Sequence, residues 1–162
     1  MLFYGDQHGC GKTSIAKVIS NTTKYKFIQL NAVTAGVADI KQAVEESKNS
    51  LFNPSGKCIL FIDEIHRFNK LQQDALLPFV ENGTIILIGA TTENPYFSVN
   101  KALISRSMVV KLNPLTYKEI FKILKNALVN KEGLGNYKIG IEDSTLEAIA
   151  KLSGGDVRTA LN

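Results

Sequence analysis

Cysteine is scarce in this sequence. Cys10 and Cys58 are far apart, have no metal-ligand spacing, and are too few for a disulfide-stapled fold. Cys10 falls inside a glycine-rich turn and Cys58 opens an apolar run, so no bridge is expected and a reducing, cytoplasmic setting is. Long hydrophobic runs are also missing. Stretches such as Ile85–Ile88 fall far short of the roughly 20 apolar residues a membrane-spanning helix needs, so no membrane partner is expected. No basic leader precedes Met1-Leu2-Phe3-Tyr4, which argues against a secretory signal. Repeats and low-complexity tracts are absent, and 44% hydrophobic with 21% charged residues excludes a disordered or fibrous chain. Charge excess is small as well: +4 permits a nucleic-acid partner without demanding one.

What is present is an alternation of short apolar runs with amphipathic stretches. Strands are expected at 2–4, 26–30, 58–62, 84–89 and 108–112, and helices at 12–20, 37–47 and 69–81. In the first helix Ile15, Ala16, Val18 and Ile19 are assigned the apolar side; in the second, Val37, Ile40, Ala43 and Val44. Asn53-Pro54-Ser55-Gly56 reads as a loop. The run Cys58–Ile62 is apolar throughout, as in a strand covered on both faces. This order implies an α/β fold: a parallel five-stranded sheet flanked by helices. After Asn113-Pro114 the strands stop. Thr116-x-x-Glu119 and Ser144-x-x-Glu147 read as capping boxes, the first opening a helix with Ile120, Phe121, Leu124, Ala127 and Leu128 on its apolar face. The expected organisation is a nucleotide-binding α/β domain over 1–113 and a partial helical lid over 114–162. With a strand directly at Met1 and a helix cut short at Asn162, the chain is expected to be a piece of something longer.

Three apolar runs end in chemistry. The first feeds Gly5-Asp6-Gln7-His8-Gly9-Cys10-Gly11-Lys12-Thr13, a glycine-rich turn opening a helix. Backbone N–H groups at such a turn converge at a helix N-terminus and attract phosphate. Lys12 then reaches the β- and γ-phosphates and the Thr13 hydroxyl ligates Mg²⁺. The spacing is irregular, because five residues separate Gly5 from Gly11 where the usual loop has four. Either Gly5 is the first glycine and the loop carries one extra residue, or Asp6 stands in the glycine's place. The second puts a carboxylate beside a polyphosphate, so the first is preferred, with the irregularity confined to Asp6-Gln7-His8. The second run ends in Asp63-Glu64, two carboxylates at the sheet edge where ligands of open α/β sheets bind. Asp63 suits a water-mediated hold on Mg²⁺, and Glu64 the orientation of an attacking water. His66 reads as an ordinary helix-end histidine. The third run delivers Thr91 and Thr92 to the same edge. Arg106 precedes the fifth strand, and Arg158 opens the last helix. Lys118, Lys122 and Lys125 form one basic stripe, a candidate for DNA contact, although such a stripe is more often a solvated helix face.

In this order the residues resemble an AAA+ ATPase. The strings Asp63-Glu64-Ile65-His66-Arg67-Phe68-Asn69-Lys70, Gln72-Gln73-Asp74-Ala75-Leu76-Leu77-Pro78, Gly89-Ala90-Thr91-Thr92-Glu93-Asn94-Pro95 and Leu103-Ile104-Ser105-Arg106 are more specific. They resemble the replication-associated recombination protein A (MgsA) family, with its eukaryotic Werner helicase-interacting ATPases. The resemblance implies ATP and Mg²⁺ as cofactors. It places Gly5, Gly9, Cys10, Gly11, Lys12, Thr13 and Ser14 in the phosphate loop, Asp63 and Glu64 in the Walker B pair, and Thr91 at sensor 1. Arg106 matches an arginine finger acting on a neighbouring subunit, and Arg158 the sensor 2 arginine. It further implies a DNA-stimulated homo-oligomer in the bacterial cytoplasm, associated with the nucleoid. Its expected partners are forked or single-strand/double-strand junction DNA and a single-stranded DNA-binding protein. The family loop usually reads Gly-Pro-Pro-Gly-x-Gly-Lys-Thr, so Asp6-Gln7-His8 is a departure that bears on the loop's rigidity and affinity. Alternatives are a clamp-loader subunit, a Holliday-junction branch-migration motor and, in another class, a non-hydrolysing nucleotide-binding scaffold. Isolated from its upstream segment and oligomerisation domain, the chain is expected to turn over weakly or not at all.

Overall fold

The computed structural model describes residues 1–5, 9–23, 25–48 and 57–162, so Asp6-Gln7-His8 and the Asn53–Gly56 loop lie outside the described residues. Five parallel strands form one sheet in the order β2-β3-β4-β1-β5. They are β1 (Leu2–Tyr4), β2 (Lys26–Asn31), β3 (Cys58–Asp63), β4 (Ile85–Thr91) and β5 (Val109–Lys111). The expected α/β sheet is therefore present. Two strands run further than their apolar runs: β3 reaches Asp63, paired with Asn31, and β4 reaches Thr91, paired with Tyr4. Ladder pairing continues past the last hydrophobic residue, and this puts the polar ends on rigid backbone.

Alternation along the strands divides the core into two layers. Phe3, Ile59, Phe61, Ile88 and Ala90 face α1 (Lys12–Thr23) and pack around Ala16. Leu2, Leu60, Ile62 and Leu87 face the other way, onto Ile40 and Val44 of α2 (Val37–Lys48), Ile65, Leu76 and Leu103. Residues 58–62 are all buried because each face of β3 has its own helical cover. On α1 the buried stripe is Lys12, Ala16 and Ser20, whereas Val18, expected on the apolar side, is 63% exposed. Positions i, i+4 and i+8 face the sheet together, and the Ser20 hydroxyl reaches it by donating to the Tyr25 carbonyl at 3.2 Å.

The helix expected over 69–81 is two helices, α3 (Lys70–Asp74) and α4 (Leu77–Glu81). Pro78 has no N–H and its ring clashes with the carbonyl four residues back, so the chain breaks at Ala75-Leu76 and restarts with Pro78 in the new first turn. The Asn69–Gln72 capping box fixes the start of α3, with the Asn69 side chain accepting from the Gln72 N–H at 2.9 Å. Two further short helices, α5 (Pro95–Ser98) and α6 (Lys101–Ser105), fill the β4–β5 connection. Gly89 is a close-approach position: a β-carbon there would lie 2.7 Å from Leu2 Cδ2 and 2.9 Å from Ile65 Cδ1.

A second compact unit groups 113–162 with Gly9 and Cys10. Its helices α7 (Tyr117–Val129), α8 (Asp143–Leu152) and α9 (Val157–Leu161) close on Ile120, Leu124, Leu146, Ala150 and Ala160. Thr116 and Glu119 form the expected box, the Glu119 carboxylate accepting from the Thr116 N–H at 2.7 Å. Ser144 does not cap α8. The helix starts at Asp143, the Ser144 hydroxyl bonds the Glu142 carboxylate, and Glu147 pairs with Lys151 at 2.8 Å. An acid in the first turn and an i, i+4 pair serve this helix where a capping box was expected. Among the described residues no helix is long and apolar enough to cross a membrane.

Candidate nucleotide site

The site assembles at the carboxyl edge of the sheet, where β1, β3 and β4 end. After Tyr4, the Gly5 N–H donates to the Thr91 carbonyl at 3.3 Å, tying the loop's start to the end of β4. Gly11 has φ +88°, a left-handed conformation that L-residues disfavour, and α1 begins on the next residue with the Ile15 N–H bonded to the Gly11 carbonyl at 2.9 Å. No acidic side chain occupies the first turn of α1, so none within the helix offsets its positive end. Lys12 is 7% exposed, and its Nζ donates to the carbonyl of Gly5, the residue after β1, at 3.4 Å. Thr13 is half-buried beside it and Ser14 is exposed. Within the second unit Gly9 has φ +72°, and a β-carbon there would come within 1.8 Å of Asp156 Oδ1. Only glycine fits that position. Cys10 next to it is buried.

Asp63 ends β3 half-exposed, and its Oδ1 accepts the Glu64 N–H at 3.2 Å. Glu64 then adopts φ 56° and ψ 42°, the one non-glycine residue with positive φ among the described residues. Holding a β-carbon-bearing residue in this region costs of order 1–3 kcal/mol, and such strain clusters at functional sites. The twist turns the chain into a 3₁₀ turn over Ile65–Arg67, anchored by fully buried Ile65. That turn brings His66 back over the sheet edge with only 4% of its side chain exposed. His66 Nδ1 lies 2.9 Å from Thr91 Oγ1, while its Nε2 lies 3.4 Å from Glu64 Oε2 and 3.7 Å from Glu93 Oε1. Thr91, wholly buried, also accepts the Glu93 N–H at 2.9 Å. His66 thus joins the end of β3 to the end of β4. Read from the sequence as a helix-end residue, it is instead the hub of the edge, and the compact Asp-Glu-Ile-His string was the signal available.

The two arginines have local partners of their own. Arg106 caps α6, donates to the Ala102 carbonyl at 3.0 Å and pairs with Glu81 at 2.7 Å, both side chains being about half exposed (44% and 49%). Arg158 is exposed in the first turn of α9, where Asp156 Oδ1 caps the helix by accepting the Arg158 and Thr159 N–H groups. Partial desolvation pushes the Asp156 carboxyl up, but those two N–H bonds and the Arg158 charge together hold it below the usual range. Of the lysine stripe, Lys125 is paired with Asp143 at 2.8 Å.

Known proteins bear on this arrangement. The family model for the ATPase family associated with various cellular activities (AAA) matches residues 1–115. Replication-associated recombination protein A from Bacillus subtilis is 47% identical over 163 residues, covering 100% of this chain and 37% of that protein. The protein of the same name from Haemophilus influenzae is 44% identical over 163 residues, and the chain spans 36% of its length. Among solved structures, the Thermotoga maritima RuvB Holliday junction branch migration motor superposes with a TM-score of 0.77 at 27% identity, over 99% of this chain and 51% of that one. A family match across 1–115, over a parallel sheet whose third strand ends in Asp63 and whose first helix opens at Gly11-Lys12, leads to one assignment: the chain belongs to the AAA family of ATPases.

Proposed function

We propose that this chain is the nucleotide-binding part of a DNA-stimulated ATPase that works in replication-fork maintenance and recombination. The observation that carries the reading is the convergence of Lys12, Asp63, Glu64 and Thr91 on one sheet edge, with the Lys12 ammonium bonded to the Gly5 carbonyl. In this reading residues 1–113 form the nucleotide-binding domain and 114–162 part of a lid, with Arg158 as its sensor 2 arginine. Glycine-turn N–H groups and Lys12 bind the triphosphate. Thr13 and Asp63 suit Mg²⁺, which takes one or two protein oxygens and fills the rest of its shell from phosphate and water. When bound, that ion neutralises charge on the β- and γ-oxygens.

Glu64 accepts a hydrogen bond from the attacking water and orients it in line with the γ-phosphate. His66 is a positioning residue: its ring spans Thr91 and Glu64 and sets the distance between the two. His66→Ala is expected to lower single-turnover hydrolysis about tenfold or more while nucleotide affinity stays within about twofold, since the loss falls on orientation and not binding. His66→Gln, which keeps a donor toward Glu64, recovers part of the rate. Equal loss of affinity and rate in both variants would mean a purely structural role.

The test of the reading as a whole is titration with a fluorescent ATP analogue. Lys12→Ala is expected to weaken binding by at least about tenfold, in line with loss of a charge-assisted phosphate contact. Equal binding by both proteins would favour a scaffold that does not use this loop. A branch-migration motor is the second reading, favoured by the structural likeness to RuvB; the sequence similarity to the recombination proteins A across the whole chain favours the first. Partners in this reading are forked or junction DNA, other copies of the chain and a single-stranded DNA-binding protein, in the cytoplasm at the nucleoid. An isolated chain has no neighbour to offer Arg106, and weak turnover follows.

A further inference from the structure

Away from the strand ends, a groove of about 500 Å³ runs between α3 and the α5–α6 segment, lined among others by Phe68, Lys70, Gln73, Tyr96, Phe97 and Lys101. Two aromatic rings stand in the open here: Phe97 is 91% exposed and its neighbour Tyr96 59%. They are not on a loose loop. The buried amide of Gln73 donates to the Phe68 carbonyl at 2.9 Å and the Ser98 carbonyl at 3.1 Å, and accepts the Asn100 N–H at 2.6 Å. The Asn100 side chain bonds Asp74 on α3, and the Asn94 side chain caps α5 by accepting the Tyr96 N–H at 3.1 Å. Both walls of the groove are therefore pinned to the same helix, and the rings are presented on fixed backbone. The charged residues of the lining are two lysines, with no carboxylate among them.

We propose that this groove binds single-stranded nucleic acid, its bases stacking on Tyr96 and Phe97 and its phosphates meeting Lys70 and Lys101. Fixed, solvent-facing aromatic rings flanked by cations fit an unpaired strand, because every base offers a π-face and every linkage a negative charge. An apolar peptide would leave the two ammonium groups without counter-charge. The stripe on α7 is the weaker surface, since Lys125 there is already paired with Asp143. This inference rests on the nucleic-acid reading above and gives it a place.

The sequence contains no tryptophan, so Phe97→Trp introduces a single indole into the groove. Titration of that variant with a short oligothymidine is expected to give saturable quenching that weakens as salt rises. By anisotropy, Phe97→Ala should lose affinity roughly five- to a hundredfold. Lys70→Glu with Lys101→Glu should flatten the slope of log affinity against log salt by about 0.7 per lost contact. All these residues are at the surface, so the variants fold. If the oligonucleotide binds with the indole unquenched and with parental affinity in the other variants, the groove assignment falls and the nucleic-acid reading survives. If the indole responds to protein concentration and not to oligonucleotide, the groove is a contact between copies, which also overturns the proposal. If the parent chain binds no oligonucleotide, both readings fail together.

Discussion

Glu64→Gln is expected to bind ATP as tightly as the parent chain, within about twofold, and to hydrolyse it about a hundred- to ten-thousandfold more slowly, the range for removal of a positioned general base. The expectation follows from where the residue sits. In the proposed reading phosphate affinity comes from the glycine turn and Lys12, whereas Glu64 lies one residue beyond the end of β3, turned by its left-handed backbone toward His66. The amide keeps the shape and the close approach to His66 Nε2, but removes the charge that pulls on the attacking water. Binding by fluorescence and single-turnover hydrolysis with enzyme in excess separate the two quantities. A companion variant reads the strain. Glu64→Gly relieves the positive φ, so its melting midpoint should match or exceed the parent's while hydrolysis is lost. Loss of affinity in Glu64→Gln, or a lower midpoint in Glu64→Gly, would place Glu64 in structure and not in chemistry.

Arg106→Ala should lower the rate of the assembled oligomer by about 10³–10⁵ and leave nucleotide binding intact. Among the described residues Arg106 pairs with Glu81 and donates to the Ala102 carbonyl of α6. A half-exposed ion pair of this kind holds its partners weakly, so the guanidinium is available to a triphosphate offered by a neighbour. Mixing decides it. Arg106→Ala protomers bind ATP but lack the finger, while Lys12→Ala protomers keep the finger but not the nucleotide. Combined, they form interfaces where an intact Arg106 meets an intact Lys12, and hydrolysis should reappear although each variant alone is inactive. Mixtures as silent as their components would mean that Arg106 supports its own fold and no neighbour's chemistry.

Much of this was legible in the sequence, for identifiable reasons. Five apolar runs of strand length, separated by amphipathic segments, leave few arrangements besides a parallel sheet covered on both faces, and the sheet has that form. Thr116 with Glu119 capped a helix because both partners are local and nothing distant competes for them. Other local signals lost to their surroundings. Pro78 divided a periodic stretch into two helices. Val18 matched the apolar pattern of α1 but faces water, because the sheet selected the Lys12–Ala16–Ser20 line.

Residue identity alone determined that a glycine turn opens a helix at Lys12, that adjacent carboxylates close the Cys58–Ile62 apolar run, and which family the chain joins. These depend on neighbours in sequence and on spacing along one strand or one turn. Only the tertiary structure decided what the residues between those landmarks do. His66 joins Glu64 to Thr91 because a left-handed residue and a buried Ile65 fold a 3₁₀ turn back across two strand ends 25 or more positions apart. Phe97 stands in solvent because Gln73, on another helix, fixes the segment that carries it. No local pattern encodes such contacts, since they arise when the burial of one element sets the position of another.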